Sequence, residues 1–443
     1  MIFPKLQLKN NFVDTTMLQH YPKRFWAIFL SIFLLILPAG CQTSTLNTEK
    51  VINLTLWQGI NPPSNRDIFD NLVRSFNQTH PDIQVESLYV GQADQQLPKI
   101  LTAVVGNAAP DILWFAPFFT GQLAELGAIK PLEEWFNALP QKAEIDPALL
   151  ESMTLNGHIW SVPMGTNNLA LFYRPSLFKE AGITKLPQTW EEVRQTAKQL
   201  TKDKNGDGRP DQHGILLSLG KGEWTVFNWL PFMYSAGGEI IEGKKINLDN
   251  EGSIAALEWW ADLLKDGSAI LSAPERGYEQ DNFIKGRVAM QLTGPWTLGY
   301  LAQTKIDFDV LPLPVAKKPA TVVGGENLFV MKTTPEREKA ALKFLEYVIS
   351  KDFQIQFALG TGYLPINLEA RKSQTYQKFI NKQPTLKVFL DQMKYARSRP
   401  IRSGYARISD SLGKAIEATL LGKNPKQALE TAQTRLNLNL ATD

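Results

Sequence analysis

Strand-like and helix-like segments alternate along this chain from residue 51 onwards. Residues 51–57 alternate apolar and polar side chains, which is typical of a strand, and residues 65–78 carry apolar side chains at helical spacing. The pattern repeats with a strand at 83–90, a helix at 97–105 and a buried strand at 110–115. This alternation predicts an α/β protein, in which helices cover the faces of sheets.

Later segments continue the pattern, and the length of 443 residues suggests two or three domains. Strands are predicted at 170–173, 308–313 and 327–331, and helices at 189–201, 254–265, 335–350 and twice within 409–438. No linker rich in Pro, Gly or Ser separates two halves of the chain. A two-lobed protein would therefore need ordered segments that cross between its lobes.

The N-terminal region has the features of an export signal. An uncharged run at 25–37 follows Lys23 and Arg24, and it is too short to span a bilayer but fits the apolar part of a secretory signal. Small residues then precede Cys41, so the segment resembles a bacterial lipoprotein signal. The resemblance implies removal of residues 1–40 and lipidation of Cys41, and the polar composition after Cys41 indicates a short flexible tether at 41–50. The alternative is an uncleaved anchor, and both place the body outside the cytoplasm on a membrane surface.

Charge and cysteine content exclude several classes of protein. The first 40 residues hold four basic side chains and one acidic side chain, which leaves 43 of each in the rest of the chain. A neutral body without a basic stripe argues against nucleic acid as a partner. The single cysteine excludes an intramolecular disulfide.

The sequence offers little catalytic machinery. His80, His158 and His213 lack metal-binding spacing, and the chain has neither a nucleophile elbow nor a dinucleotide-binding turn. A partial phosphate-loop match at 238–244 is followed by Lys245 where Ser or Thr should stand, so it is interpreted as chance. We therefore expect a protein that is not an enzyme.

One loop has a spacing that suits calcium. Oxygen-bearing side chains alternate at Asp203, Asn205 and Asp207, a glycine follows, and Asp211 completes the set. The twelfth position of a complete calcium loop should be Glu, but here it is Gly214. Two interpretations stay open: a structural calcium site, or a solvated loop that closes a hairpin.

Aromatic side chains stand beside neutral polar residues near the predicted strand ends. Flat rings stack on the apolar faces of sugars, while amides and other polar groups bind the hydroxyl rim. Each ring taken alone has core packing as its alternative role, and we assign the helical Trp190, Trp259 and Trp260 to packing. The residues predicted from this pattern to contact a ligand are Trp57, Gln58, Tyr89, Trp114, Trp224, Trp296 and Tyr363.

A family resemblance extends over nearly the whole chain after residue 51. The segments that carry it occur in order at 106–112, 126–132, 171–178, 186–192, 283–290, 293–296, 324–328, 362–365 and 399–409. Together they resemble the extracellular solute-binding proteins of carbohydrate-class ABC importers, which include maltose-binding and glycerol-3-phosphate-binding proteins.

The resemblance implies an α/β fold of the type II periplasmic-binding-protein class, with two lobes joined by crossover hinge strands. Lobe 1 is expected at 51–163 and 312–361, and lobe 2 at 167–308 and 365–443. The crossings would lie near 162–166, 309–313 and 362–366. A monomer without a required cofactor would bind a carbohydrate in the cleft and deliver it to permease and ATPase subunits.

The resemblance also implies site residues, carried over one position at a time. Trp296 resembles a stacking aromatic of the cleft, Gly325 and Glu326 resemble a loop offering backbone amides, and Tyr363 resembles a cleft tyrosine. Thr166 and Asn167 fall at the first crossing, and Trp224 matches a position that closes over ligand. Arg402 is ambiguous between phosphate-binding and sugar-binding relatives.

Three alternatives for the function stay open at this stage. A glutamate that glycerol-phosphate members carry soon after the first strand has no match at 58–64, which favours a neutral sugar or a glycosylated polyol over glycerol 3-phosphate or a glycerophosphodiester. A secreted, lipid-anchored glycosidase would need a pair of carboxylates in its cleft. A surface scaffold would bind no small ligand.

Overall fold

The computed structural model describes residues 51–219, 222–243, 245–273, 280–402 and 404–441. The predicted signal peptide at 1–40, the lipidated Cys41 and the tether at 41–50 lie outside these described residues. Within them, no helix has both the length and the apolar character that crossing a bilayer requires.

Strands and helices alternate as the sequence predicts. The strands are β1 (Ile52–Gln58), β2 (Ile83–Tyr89), β3 (Ile112–Phe115), β4 (Thr154–Leu155), β5 (His158–Ile159), β6 (Val162–Pro163), β7 (Asn167–Asn168), β8 (Ala170–Tyr173), β9 (His213–Leu217), β10 (Ile241–Glu242), β11 (Lys245–Ile246), β12 (Ala269–Leu271), β13 (Val288–Thr293), β14 (Asp309–Leu311), β15 (Thr321–Gly324), β16 (Asn327–Val330) and β17 (Ala396–Arg397). The α-helices are α1 (Pro63–Thr79), α2 (Ala93–Val105), α3 (Thr120–Glu125), α4 (Glu133–Ala138), α5 (Leu150–Met153), α6 (Pro175–Glu180), α7 (Trp190–Leu200), α8 (Glu223–Ser235), α9 (Glu251–Lys265), α10 (Asp281–Ile284), α11 (Leu298–Gln303), α12 (Pro335–Ile349), α13 (Lys351–Thr361), α14 (Leu368–Lys372), α15 (Gln374–Lys382), α16 (Pro384–Gln392), α17 (Tyr405–Leu420) and α18 (Pro425–Ala441). Short 3₁₀ helices lie at Pro117–Phe119, Pro140–Glu144, Pro147–Leu149, Pro295–Thr297 and Met393–Tyr395.

The first of two five-stranded sheets has the strand order β2-β1-β3-β16-β6. β1 runs parallel to β2 and β3, whereas β16 is antiparallel to β3 and β6. Helices α1 and α12 pack on this sheet through a core that includes Phe69, Phe76 and Phe344, all fully buried. The parallel strands place the carboxyl ends of β1 and β3 at the same edge, where ligands of α/β proteins bind.

The second sheet has the order β12-β9-β13-β8-β14. β13 is parallel to β9 and antiparallel to β8, and β8 is also antiparallel to β14. Fully buried Trp229 and Trp260, from α8 and α9, belong to the core beside it. The packing role predicted for Trp260 is thus what the structure shows.

A third sheet has three strands in the order β17-β15-β7. Along the chain, β7 and β15 each lie between a strand of the first sheet and a strand of the second. The chain leaves β6, enters β7 and continues into β8, while on the return it passes from β14 through β15 to β16. Val315 and Lys317 still bond through their backbone N–H groups to carbonyls of Gln188 and Ser235, beside the second sheet. β14 pairs with β8 in the second sheet and β15 pairs with β7 in the third, and the crossing near 309–313 stays a prediction.

The ends of two helices show how local chemistry sets the boundaries. Thr189 caps α7 by accepting a hydrogen bond from the Glu192 amide at 3.2 Å, and Glu192 accepts one in return from the Thr189 amide at 3.1 Å. At α2, the Gln95 side chain accepts a hydrogen bond from the Gln92 amide at 3.1 Å. This cap starts α2 at residue 93, four residues before the predicted start.

Helix α8 is absent from the sequence-based prediction. Every residue of this helix from Thr225 to Ser235 is buried, so its apolar side chains surround it instead of forming one stripe. Trp224, which is expected from the sequence near a strand end, lies in the first turn of α8.

Candidate functional site

A cavity of about 350 Å³ lies at the carboxyl ends of β1 and β3 and faces the segment that follows β13. Gly59 and Asn61 follow β1, Ala116 follows β3, and Trp296 follows β13. Seven residues predicted from the sequence to contact a ligand line this cavity: Trp114, Asn167, Trp224, Trp296, Gly325, Glu326 and Tyr363.

Aromatic rings form one wall of the cavity. The ring of Trp296 has its centroid 6.2 Å from that of Trp224, with an edge-on interplanar angle of 69°. The ring centroid of Tyr363 lies 6.4 Å from that of Trp296, with an interplanar angle of 43°. Rings set at angles to one another present both faces and edges, which suits a ligand with apolar C–H patches.

Two contacts fix the central ring of this wall. Trp296 sits in the 3₁₀ helix Pro295–Thr297, and its backbone carbonyl accepts a 3.1 Å hydrogen bond from the Asn65 side-chain amide of α1. Its indole lies over Gly294, where an added Cβ would be 1.8 Å from a ring carbon. The position of the Trp296 ring therefore depends on Asn65, which lies beside the first sheet, and on the absence of a side chain at Gly294.

The turn between β15 and β16 brings Gly325 and Glu326 to the lining of the cavity. Gly325 has a φ of +113°, and a Cβ there would lie 2.4 Å from the Gly165 carbonyl oxygen, so only glycine fits. Tyr363 stands close to the Glu326 carboxylate. Burial raises the pKa of the Tyr363 hydroxyl well above its ordinary value, and the negative charge of Glu326 adds to the effect.

A buried ion pair lies in the same cavity. Arg399 Nη1 donates a 2.8 Å hydrogen bond to Glu223 Oε1, and their side chains are only 10% and 14% exposed. The guanidinium carbon lies 4.5 Å from the ring centroid of Phe118 and 4.7 Å from that of Phe227. The two rings therefore hold the guanidinium group against the cavity wall.

Three of the predicted residues lie outside the cavity because they serve the first sheet. Trp57 is partly buried against the core, and Gln58 is buried, where its Oε1 accepts a 2.8 Å hydrogen bond from the Ile60 amide. Tyr89 is 44% exposed, and the Arg66 guanidinium lies 3.9 Å from its ring centroid.

Two further predicted residues also lie elsewhere. Thr166 is buried just before β7, where its hydroxyl donates a 3.3 Å hydrogen bond to the Gly324 carbonyl oxygen and its backbone pairs with Leu364. Arg402 does not line the cavity, and its carbonyl oxygen accepts a hydrogen bond from the Tyr405 amide in the turn that begins α17. The arginine that reaches the cavity is Arg399, three residues earlier.

Sequence reasoning missed a second set of lining residues. Glu223 and Phe227 lie one turn apart on α8, so a prediction of that helix would have placed both on one face. Arg399 begins the segment 399–409 that carries part of the family resemblance, but it is not among the site residues predicted from the sequence. Other lining residues that no sequence signal indicated are Gln92, Phe118, Gln280, Asp281 and Tyr300.

The candidate calcium loop is held together by its own backbone. Asp203 accepts hydrogen bonds from the amides of Gly206 and Gly208, at 2.7 and 2.8 Å, and Asp211 accepts from Lys204 at 2.7 Å. The Gly208 amide is the main cause that lowers the pKa of Asp203 below its ordinary value. Among the described residues, no group of three or more His, Cys, Asp or Glu side chains is arranged to hold a metal ion.

Solved structures of known proteins share this fold. A solute-binding protein of an ABC transporter from Thermotoga lettingae, solved with α-D-tagatose, is 25% identical, with a TM-score of 0.78 over 87% of this chain and 99% of that one. UgpB of Mycobacterium tuberculosis, solved with glycerophosphocholine, is 22% identical, with a TM-score of 0.78 over 88% and 98%. The predicted type II periplasmic-binding-protein fold is confirmed.

Sequence comparison identifies the family. The sn-glycerol-3-phosphate-binding periplasmic protein UgpB of Salmonella typhimurium is 24% identical over 409 residues, which are 87% of this chain and 92% of the Salmonella protein. The sequence profile of the family described as "Bacterial extracellular solute-binding protein" matches residues 71–385. Members of this family bind and deliver solutes for ABC transporters and are not enzymes, as the sequence predicts. The chain therefore belongs to the bacterial extracellular solute-binding proteins.

Proposed function

We propose that this protein captures a neutral sugar or a glycosylated polyol in the cavity between its two large sheets and delivers it to the permease of an ABC importer. The aromatic wall of Trp224, Trp296 and Tyr363 is the observation that carries the proposal. The centroids of Trp224 and Tyr363 lie 6.2 and 6.4 Å from that of Trp296, and the three rings give stacking surface to the apolar faces of a sugar. The carboxylate of Glu326 and the amide of Asn167 line the same space and supply polar groups for hydroxyls.

The charges in the cavity favour a neutral ligand. Among the described residues that line it, the acidic ones are Glu223, Asp281 and Glu326, and the one cationic group is Arg399. That guanidinium already bonds to Glu223. A phosphate dianion would therefore meet more negative than positive charge, at a site where partial burial weakens screening.

A glycerol-3-phosphate or glycerophosphodiester ligand is the second candidate. It is supported by the Salmonella relative, which is named for sn-glycerol 3-phosphate, and by the Mycobacterium structure with glycerophosphocholine. Arg399 is the group that would face the phosphate. This candidate requires the guanidinium to exchange Glu223 for the ligand.

Three accessory features belong to the proposal. The export signal and Cys41 predict attachment by lipid on the periplasmic side of the membrane, in agreement with an extracellular family, and the family resemblance implies a monomer. Mass spectrometry of the N-terminal peptide, compared with a Cys41→Ser variant, tests the lipid. We also propose a structural calcium ion in the loop that contains Asp203, Asn205, Asp207 and Asp211. Calorimetric titration with calcium and thermal unfolding test it. No heat of binding and no shift of the melting temperature would contradict it.

A ligand screen by thermal unfolding tests the function itself. The panel holds mono- and disaccharides, glucosylated glycerol, polyols and glycerol 3-phosphate. A ligand at 100 times its Kd stabilises the folded state by about 2.7 kcal/mol, which gives a shift of a few degrees. A shift with a neutral sugar supports the proposal, and a shift with glycerol 3-phosphate alone supports the second candidate.

A further inference from the structure

Glu223 receives hydrogen bonds from three different side chains at the base of the cavity. Arg399 donates at 2.8 Å, the Tyr405 hydroxyl donates at 3.4 Å, and the Ser409 hydroxyl donates to the second oxygen. Tyr405 is fully buried and Ser409 is 5% exposed, so both belong to the packed wall behind the carboxylate. These contacts fix the negative charge of Glu223 beside the guanidinium.

Arg399 has bonding capacity that Glu223 does not use. A guanidinium carries five N–H groups, and Nη1 makes the bond to Glu223. Among the described residues no other acceptor bonds to it, although its side chain is only 10% exposed and lines the cavity. Because Phe118 and Phe227 lie over the group at 4.5 and 4.7 Å, its plane is fixed before any ligand arrives.

We propose that Glu223 is the specificity-determining residue of this cavity: by neutralising Arg399 it restricts the site to uncharged polyhydroxyl ligands. The pair offers donors from the guanidinium and acceptors from the carboxylate side by side. A sugar hydroxyl both accepts and donates, so it can bond to both partners without a net charge. The inference rests on the proposed function and adds to it the residue that selects against anions.

The proposal has a direct consequence for a variant without the carboxylate charge. Glu223→Gln keeps the size and one acceptor oxygen of the side chain but leaves the guanidinium without its counter-charge. A buried charge that loses its partner is strongly unfavourable, and an anion in the cavity would restore the pairing. The variant should therefore gain affinity for phosphate compounds while its affinity for a neutral sugar falls.

A second arginine–glutamate pair, with side chains 45% and 31% exposed, serves as a control. Arg397 bonds to Glu239 through two guanidinium nitrogens, at 2.9 and 2.8 Å, and it lies 5.1 Å from the ring centroid of Tyr234. Neither member of this pair lines the cavity. Glu239→Gln removes the same carboxylate charge from the partner of Arg397, an arginine two residues before Arg399. This control therefore separates an effect on the cavity from the effect of a general change in net charge.

The experiment measures Kd by calorimetry for glycerol 3-phosphate and inorganic phosphate, with wild-type protein, Glu223→Gln and Glu239→Gln. We expect Glu223→Gln to bind glycerol 3-phosphate about tenfold or more tightly than wild type, and Glu239→Gln to stay within about threefold. The double variant Glu223→Gln/Arg399→Met should lose the gain. Thermal unfolding confirms that each variant is folded.

Three outcomes overturn the inference: no gain in Glu223→Gln, an equal gain in Glu239→Gln, or a gain that survives removal of Arg399. If Glu223→Gln does not fold, two other single variants replace it: Glu223→Asp, which keeps the negative charge, and Arg399→Met, which removes the guanidinium. Neither variant should gain affinity for phosphate. These results are distinct from failure of the proposed function. A wild-type protein that binds no neutral sugar contradicts the function, whereas the phosphate comparison tests Glu223 by itself.

Discussion

The indole ring of Trp296 lies directly over Gly294, so that a Cβ atom added to this glycine would come within 1.8 Å of the ring carbon Cζ3. The backbone of Gly294 is extended, with a φ of −118°, and would accept any residue. What requires glycine here is the ring and not the backbone. The position of the Trp296 ring in the cavity wall thus depends on the absence of a side chain at Gly294, two residues earlier.

Gly294→Ala is expected to weaken ligand binding by forcing this indole out of place. Overpacking of this kind costs about 1–3 kcal/mol, which corresponds to roughly a ten- to hundredfold rise in Kd if the strain appears in the bound state. Gly299→Ala is the control, because its nearest neighbour is an ordinary contact at 3.8 Å. Calorimetric titration of both variants checks this, and equal affinities for the two would contradict the role of Gly294.

Removal of Arg337 is expected to destabilise the first sheet. Asp111 is 1% exposed and accepts hydrogen bonds from Arg337 Nε at 2.6 Å and from the Thr55 amide at 2.8 Å. Arg337→Ala leaves this buried carboxylate without its counter-charge, at a cost of about 3 kcal/mol. The control is Lys343→Ala on the same helix, whose 3.7 Å pair with Glu346 is exposed and should contribute less than about 1 kcal/mol. Urea unfolding that gives equal losses for the two variants would refute the prediction.

Stability should fall in acid through Asp266. Hydrogen bonds from Arg194 lower the pKa of this carboxyl below its ordinary value of 3.8, although burial opposes the effect. A lowered pKa in the folded state means that the stabilisation is present above about pH 4 and is lost as the pH falls through the folded-state pKa.

Asp266→Asn tests this dependence. The variant should lose about 1–3 kcal/mol at pH 7, and the difference from wild type should shrink at pH 3. Asp410→Asn is the control, because Asp410 is 52% exposed beside Lys414. Urea unfolding at both pH values measures the difference in the free energy of unfolding between wild type and each variant. If the difference for Asp266→Asn does not shrink at pH 3, Asp266 is not the source of the acid dependence.

The sequence predicts those elements whose signals are local. Strand β8 has the predicted bounds. Thr189 caps α7 because its hydroxyl and the Glu192 carboxylate each bond to the backbone amide of the other residue, only three positions away. Helix α8 could not be predicted in the same way. It is buried on all sides, so tertiary packing, and not periodicity, defines it.

The site shows the same division between local and tertiary information. Trp296 and Tyr363 stand in recognisable motifs, and both line the cavity. Arg399 and Arg402 occupy the same stretch of sequence, and only the packing of Phe118 and Phe227 around Arg399 distinguishes them. Those rings come from distant parts of the chain, which motif matching does not bring together.

The most direct test of the central claim is calorimetric titration of the purified protein with neutral sugars and with glycerol 3-phosphate, repeated on Trp296→Ala. We predict saturable binding of a neutral sugar by the wild-type protein, with Kd raised about tenfold or more in the variant, since stacked aromatic rings dominate such contacts. Trp135→Ala, whose indole bonds to Glu346 outside the cavity, should keep wild-type affinity. Binding of glycerol 3-phosphate alone, or sugar binding that is unchanged in Trp296→Ala, would contradict the account.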